Sequence, residues 1–156
     1  AAIESGGATF VADTTAVAWS LIVNRAFVPD YTSLVTGETL YKSHVIQGNA
    51  TLNNAWGTGL LAVTGNLTTT GVLAKWEGIV LVGGEIFFNA DSTAFLGMVI
   101  SGLNASSSVG GSAPDARIGV DPVYIRYDSC RVGQTIAGWT GFAPVRNAWV
   151  DTWPSY

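Results

Sequence analysis

The sequence predicts a mainly β protein, a short parallel β-solenoid of about 19-residue coils with small helical or mixed flanking elements. Three observations carry that prediction. Gly59, Gly78 and Gly97 recur at a spacing of 19, and each opens an apolar run, "GLLAVTG", "GIVLVGG" and "GMVISG". A second register, "GNLT" from Gly65, "GEIF" from Gly84 and "LNAS" from Leu103, repeats with the same spacing of 19. Trp76 and Phe95 are one period apart as well. A period this short leaves no room for a pair of helices but suits one coil of stacked β-strands.

The 156-residue chain is the size of a single domain. It divides into an N-terminal flank over 1–40, coils over 41–125 and a C-terminal helix-and-strand cap over 126–156. In the flank, "DTTAVAWSLIVNRAFVPDY" suits either a helix capped by Asp13 or a strand, and the reading leans to helix. An earlier coil is marked by "VIQGNAT", where Gly48 precedes Gly65 by 17 residues. Within the coils the inward ladder is expected to include Leu61, Val80 and Val99 or their neighbours, with Leu67, Ile86 and Ala105 from a second face. A third face carries the stacking ladder Trp76 and Phe95, with Trp56 one position off its register. The segment "NASSSVGGSAPDA" has the composition of a loop bulging from the last coil. After it, "PVYIRY" reads as a strand and "RVGQTIAG" as a helix capped by Ser129 and closed by Gly138. "APVRNAWVDTW" reads as a further strand.

Composition narrows the partners. Seven Lys and Arg against eleven Asp and Glu give a net charge of −4, with no basic stripe, which argues against a nucleic-acid partner. Charged residues are only 12% and hydrophobic residues 48%, so ordinary charged surface is scarce and packing against copies of the same chain is expected. The longest apolar run, "AVAWSLIVNRAFV", is broken at Asn24 and Arg25, so no membrane-spanning segment is expected. One cysteine, Cys130, permits neither an intrachain disulfide nor a multi-thiolate zinc site. Abundant Thr, Ser, Asn, Gly and Trp with little Lys and Glu lean toward an exported protein.

The pattern "GLLAVTGNLTTTGVLAKWEGIVLVGG", with "YIRYDSCRVGQTIAG" and "PVRNAWVDTW", resembles the repetitive C-terminal region of PilX-type pilus-assembly-like bacterial surface proteins. The resemblance runs from Val45 to Trp153. It implies export and cell-surface assembly; the long apolar N-terminal segment that type IV pilins pack into their fibre core is not found in this sequence, so either that part has been removed or this subunit is expected to assemble by another route.

Chemistry is harder to find. His44 is the only histidine, and no nucleophile-elbow motif accompanies it, so an ordinary strand or edge histidine is expected rather than a partner for Ser43, Cys130 or a carboxylate. Cys130 reads as a small buried residue at a helix start. Glu77, Glu85 and Asp91 fall at different phases of the coil, which disfavours an acid/base pair. No catalytic residue, cofactor or metal is therefore assigned. The sequons at Asn49, Asn66 and Asn104 fall at one phase of the coil, with Glu85 in the remaining position, and are expected as corner residues making turn or ladder hydrogen bonds.

The function expected is an exported, non-catalytic subunit that assembles with copies of itself, or with pilus components, at the cell surface. Its assembly candidates are Val17, Trp19, Leu21, Val23, Phe27, Trp149 and Trp153. A carbohydrate-binding module or adhesin using Trp139, Trp149, Trp153 and Tyr156 is the alternative, and a solenoid lyase or hydrolase ranks third.

Overall fold

The computed structural model describes residues 19–104, 117–118 and 122–137. They form a parallel β-solenoid of about three turns. Its strands are β1 (Lys42–Ile46), β2 (Ala50–Val63), β3 (Leu67–Val82), β4 (Ile86–Ala90), β5 (Thr93–Ile100), β6 (Arg117–Ile118) and β7 (Val123–Arg126). Every named strand pairing is parallel. β1 pairs with the end of β2, and β2 runs along the length of β3. β4 and β5 divide the next edge of β3 between them, and β6 and β7 then continue β4 and β5.

Each coil has three short faces, because β2 and β3 are too long to stay straight and bend where the backbone enters the left-handed region. Gly59, Gly78 and Gly97 stand in one column at the second bend, with φ of 99°, 133° and 137°. A Cβ on any of them would overlap main chain of the preceding coil, Lys42 O below Gly59, Gly59 O below Gly78 and Gly78 O below Gly97. Both the dihedral and the close approach therefore require glycine, which is the physical origin of the 19-residue echo.

The step is not uniform. Lys42 pairs with Gly59 and Ala50 with Leu67, a step of 17, whereas Ala55 pairs with Ala74, a step of 19. The two extra residues enter opposite Asn54, which has φ of 45° and accepts the Val72 N–H on its side-chain oxygen. The bulge leaves Val72 and Leu73 exposed. In the last coil Phe87 pairs with Arg117 and Thr93 with Val123, a step of 30. Eleven additional residues thus enter between Ile100 and Arg117, where the sequence places "NASSSVGGSAPDA".

Two apolar clusters result. Alternation along each strand sends Leu52, Leu61, Leu67, Trp76, Val80, Ile86, Phe88 and Phe95 into the solenoid. The intervening residues of the third face, Leu60, Ala62, Ile79, Leu81 and Ile100, point outward and are covered by two helices. Helix α1 (Trp19–Val23) supplies Trp19 and Ile22, and helix α2 (Ser129–Ala137) supplies Val132, with Ile136 packed alongside. The turn that follows α1 holds Arg25 at a φ of 58°. Among the described residues no helix is long and apolar enough to cross a membrane.

The start of α2 differs from the sequence reading by one residue. Asp128 caps it: its Oδ1 accepts the N–H groups of Cys130 at 3.1 Å and Arg131 at 3.2 Å, while Ser129 is already the first helical residue. Cys130 is exposed, contrary to the buried position expected, because it lies on the side of α2 away from Val132 and the sheet. Asp13, Ala105, Gly138 and the strand expected over "APVRNAWVDTW" lie outside the described residues.

Candidate functional site

The inner column of the second face begins with an exchange of sizes. Gly57 and Trp76 share a register position, and the indole of Trp76 occupies the space where a side chain on residue 57 would stand. Its Nε1–H donates to Gly59 O at 2.9 Å, so this buried donor is satisfied by the bend itself. Phe95 follows in the same column, and the two are fully buried. Trp76 meets His44 edge-on at 5.3 Å, and Phe95 meets Phe88 at 6.0 Å. Trp56, aligned with Lys75, faces outward and is exposed.

At the first end the inner cluster is closed by the chain's own residues. His44, aligned with Leu61, points inward and is 1% exposed. Tyr31 stacks on its imidazole at 4.9 Å and extends the ladder by one bridge, with Tyr31 N–H donating to Ser43 O and Val45 N–H to Tyr31 O. Neither His44 nitrogen has a hydrogen-bond partner among the described residues. Burial lowers its pKa, and the nearby Leu60 and Lys42 main chain and the Glu38 and Asp30 carboxylates only partly oppose that. Leu34 packs against the inner cluster, and Gly37 N–H donates to Trp56 O. Tyr31 donates its hydroxyl to Glu38, which raises the phenol pKa.

Ser43 faces the other way from His44, as neighbours on a strand must, so the two form no dyad. Ser43 is instead held by Asp30, whose Oδ2 accepts both the Ser43 N–H and hydroxyl at 2.8 Å. Burial alone would raise the Asp30 carboxyl, but Ser43 and the Lys42 ammonium outweigh it and hold the pKa low.

Among the described residues the last end is open. Ile125 continues the Trp76–Phe95 column, yet it is 52% exposed, whereas Phe95 one coil below is fully covered. Tyr124 and Tyr127 beside it are 52% and 68% exposed. Among the described residues no third face completes this coil: after β7 the chain turns at Asp128, whose N–H donates to Gly97 O, and leaves as α2.

The helices are fastened by polar contacts. Glu77 accepts from Lys75 Nζ at 2.6 Å and from Arg131 Nε at 2.8 Å, and Arg131 also pairs with Asp128 at 2.6 Å. Lys75 and then Arg131 hold the Glu77 carboxyl below its ordinary value. Glu77 is therefore committed to anchoring α2. Among the described residues no group of three or more His, Cys, Asp or Glu is arranged to hold a metal.

The corner asparagines form a ladder. Asn49 Oδ1 accepts the N–H of Asn66 at 2.9 Å, and Asn66 Oδ1 accepts that of Glu85 at 3.0 Å. Asn104 closes the series, with its Nδ2–H donating to Thr64 O at 2.6 Å and its Oδ1 accepting Trp19 Nε1–H at 2.9 Å.

The residues expected to mediate assembly are divided by this arrangement. Trp19 is buried in the chain's own helix-covered core, and Phe27 packs partly against it. Leu21 and Val23 are exposed, and Val17, Trp149 and Trp153 lie outside the described residues. So do Trp139 and Tyr156. The open last coil around Tyr124, Ile125 and Tyr127 was missed, although extending the Trp76–Phe95 column across the "NASSSVGGSAPDA" insertion would have pointed to it. No protein-family model, curated protein or solved structure matches this chain.

Proposed function

We propose that this chain is a non-catalytic structural subunit, exported to the cell surface, that assembles with copies of itself through the ends of its solenoid. The observation that carries this reading is Ile125, an inward-column residue left half-exposed on a coil with no third face among the described residues. An apolar column and a ladder edge that stop without cover among the described residues are what a stacking partner would extend. The titratable groups add support, because the His44 ring is sealed beneath Tyr31 and the Glu77 carboxylate is held by two cations. Membership of a pilus-like fibre rests on the sequence resemblance alone.

Sedimentation and negative-stain microscopy of the full chain over a range of concentrations test the reading. Concentration-dependent oligomers or fibres are expected, and a monodisperse monomer at millimolar concentration overturns it. Deleting residues 1–28 is a poor test, since it strips Trp19 and Ile22 from the chain's own core.

A further inference from the structure

The two ends of the stack differ in kind, which bears on how copies join. Simple continuation of the ladder from the last coil of one copy into the first coil of the next is blocked. The first end is already occupied by the segment from Tyr31 to Leu40. Tyr31 bridges β1, Gly37 bonds Trp56 O, and Glu38 O and Leu40 O accept the Thr58 hydroxyl. Yet this closing segment has features that match the open end. Leu40 is 64% exposed and Val28 is 87% exposed, and two carboxylates lie among them, Glu38, which accepts from Tyr31, and Asp30, which is paired with Lys42. At the opposite end Tyr124, Ile125 and Tyr127 are exposed, and β7 carries the exposed Arg126.

Resting on the self-assembly reading above, we infer that a second copy of this chain docks head to tail. The open last coil of one copy, through Tyr124, Ile125, Tyr127 and Arg126, seats on the Val28–Leu40 closing segment of the next. Apolar side chains at both ends supply the buried area, and Arg126 against Glu38, beside the Asp30–Lys42 pair, sets polarity and register. Each copy keeps one free end of each type, so the contact is heterologous and propagates without closing. The alternative, two last coils meeting about a two-fold axis, would bring Arg126 against Arg126 and stop at a dimer.

A mixing experiment separates these arrangements. Ile125→Lys disables the last end and Leu40→Lys the first. Both sites are largely exposed, so both variants are expected to fold, and circular dichroism matching wild type checks this. Val72→Lys, on the side bulge, serves as a control that keeps wild-type assembly. Under the head-to-tail arrangement each variant alone sediments as a monomer, and an equimolar mixture gives a one-to-one dimer of twice the mass. If Leu40→Lys alone still dimerises while Ile125→Lys does not, the contact is two-fold and the inference is overturned. If both variants assemble like wild type, assembly uses another surface, so the inference fails while self-assembly stands. If wild type is monomeric and Ile125→Lys lowers its melting temperature, the last coil is covered by the chain's own residues, and both the inference and the self-assembly reading fall.

Discussion

Gly57 and Trp76 occupy the same register position in neighbouring coils, and the indole of one fills the volume that the other leaves empty. The pair is a small-to-large exchange across a ladder in which most positions repeat their own kind. Gly57→Ala forces the buried ring to move in a space also bounded by His44. A loss of about 1–3 kcal/mol is expected, as for overpacking generally. Trp76→Ala removes the same ring and its bond to Gly59 O, for a loss of about 3–5 kcal/mol. Urea unfolding of the two variants checks the order.

Glycines elsewhere need not behave alike. Gly78→Ala meets Gly59 O and the Thr135 hydroxyl of α2 at a positive φ, so it should destabilise both the coil and the seat of the helix. Gly133 lies within α2, and no atom beyond the helix's own backbone comes within 4 Å of where a methyl group would stand. Gly133→Ala is therefore expected to stabilise, by about 0.5–1 kcal/mol. Thermal melts of the two single variants should shift in opposite directions.

Stability is expected to fall in mild acid because of His44. Its folded pKa lies below the ordinary imidazole value of about 6.5, so between the two values the unfolded chain binds the extra proton. The stabilising contribution of the neutral ring is thus whole above pH 6.5 and declines as pH drops through that value toward the folded pKa. Glu38 and Asp30, while ionised, moderate the loss. His44→Leu should flatten the pH dependence of the denaturation midpoint between pH 7 and 5. An unchanged slope in that variant would refute the assignment.

The first turn of α2 offers a comparison one residue wide. Asp128→Ala removes the acceptor for two main-chain N–H groups and one partner of Arg131, whereas Ser129→Ala removes neither. Only the first substitution should lower the melting temperature. The Asp128 carboxyl is held low chiefly by the Arg131 N–H, so its contribution is present at neutral pH and disappears as pH falls through the folded value.

How much of this was legible in the sequence depends on what each residue answers to. The column Gly59, Gly78, Gly97 was readable because main-chain crowding admits one residue type, and it fixed both the period and the coil. The offset of Trp56 from the Trp76 column was readable from the same 19-residue step, which sets it beside Lys75, whereas the two residues inserted opposite Asn54 are announced by no side chain. The inward orientation of His44 was within reach: the 17-residue step from Gly48 to Gly65, applied to His44, lands on Leu61. The docking of α1 and α2 on one outer face was not, because Leu60, Ile79 and Leu81 lie next to the inward Leu61 and Val80 in runs apolar at every position. Such runs say that both sides are covered without saying by what. The same ambiguity hid the fate of Trp19, whose partner Asn104 is 85 residues away.

That long bond has a further consequence. Gln47 of the first corner donates to Ile22 O, while Asn104 of the last corner receives Trp19 Nε1–H, so the ends of one short helix grip the two extremes of the asparagine ladder. Corners are added one strand spacing at a time, about 4.8 Å, but α1 has a fixed length. A chain with one coil duplicated could keep the Gln47 contact or the Asn104 contact, not both. The helix is thus a molecular ruler, and it counts the turns that the repeat by itself leaves unlimited.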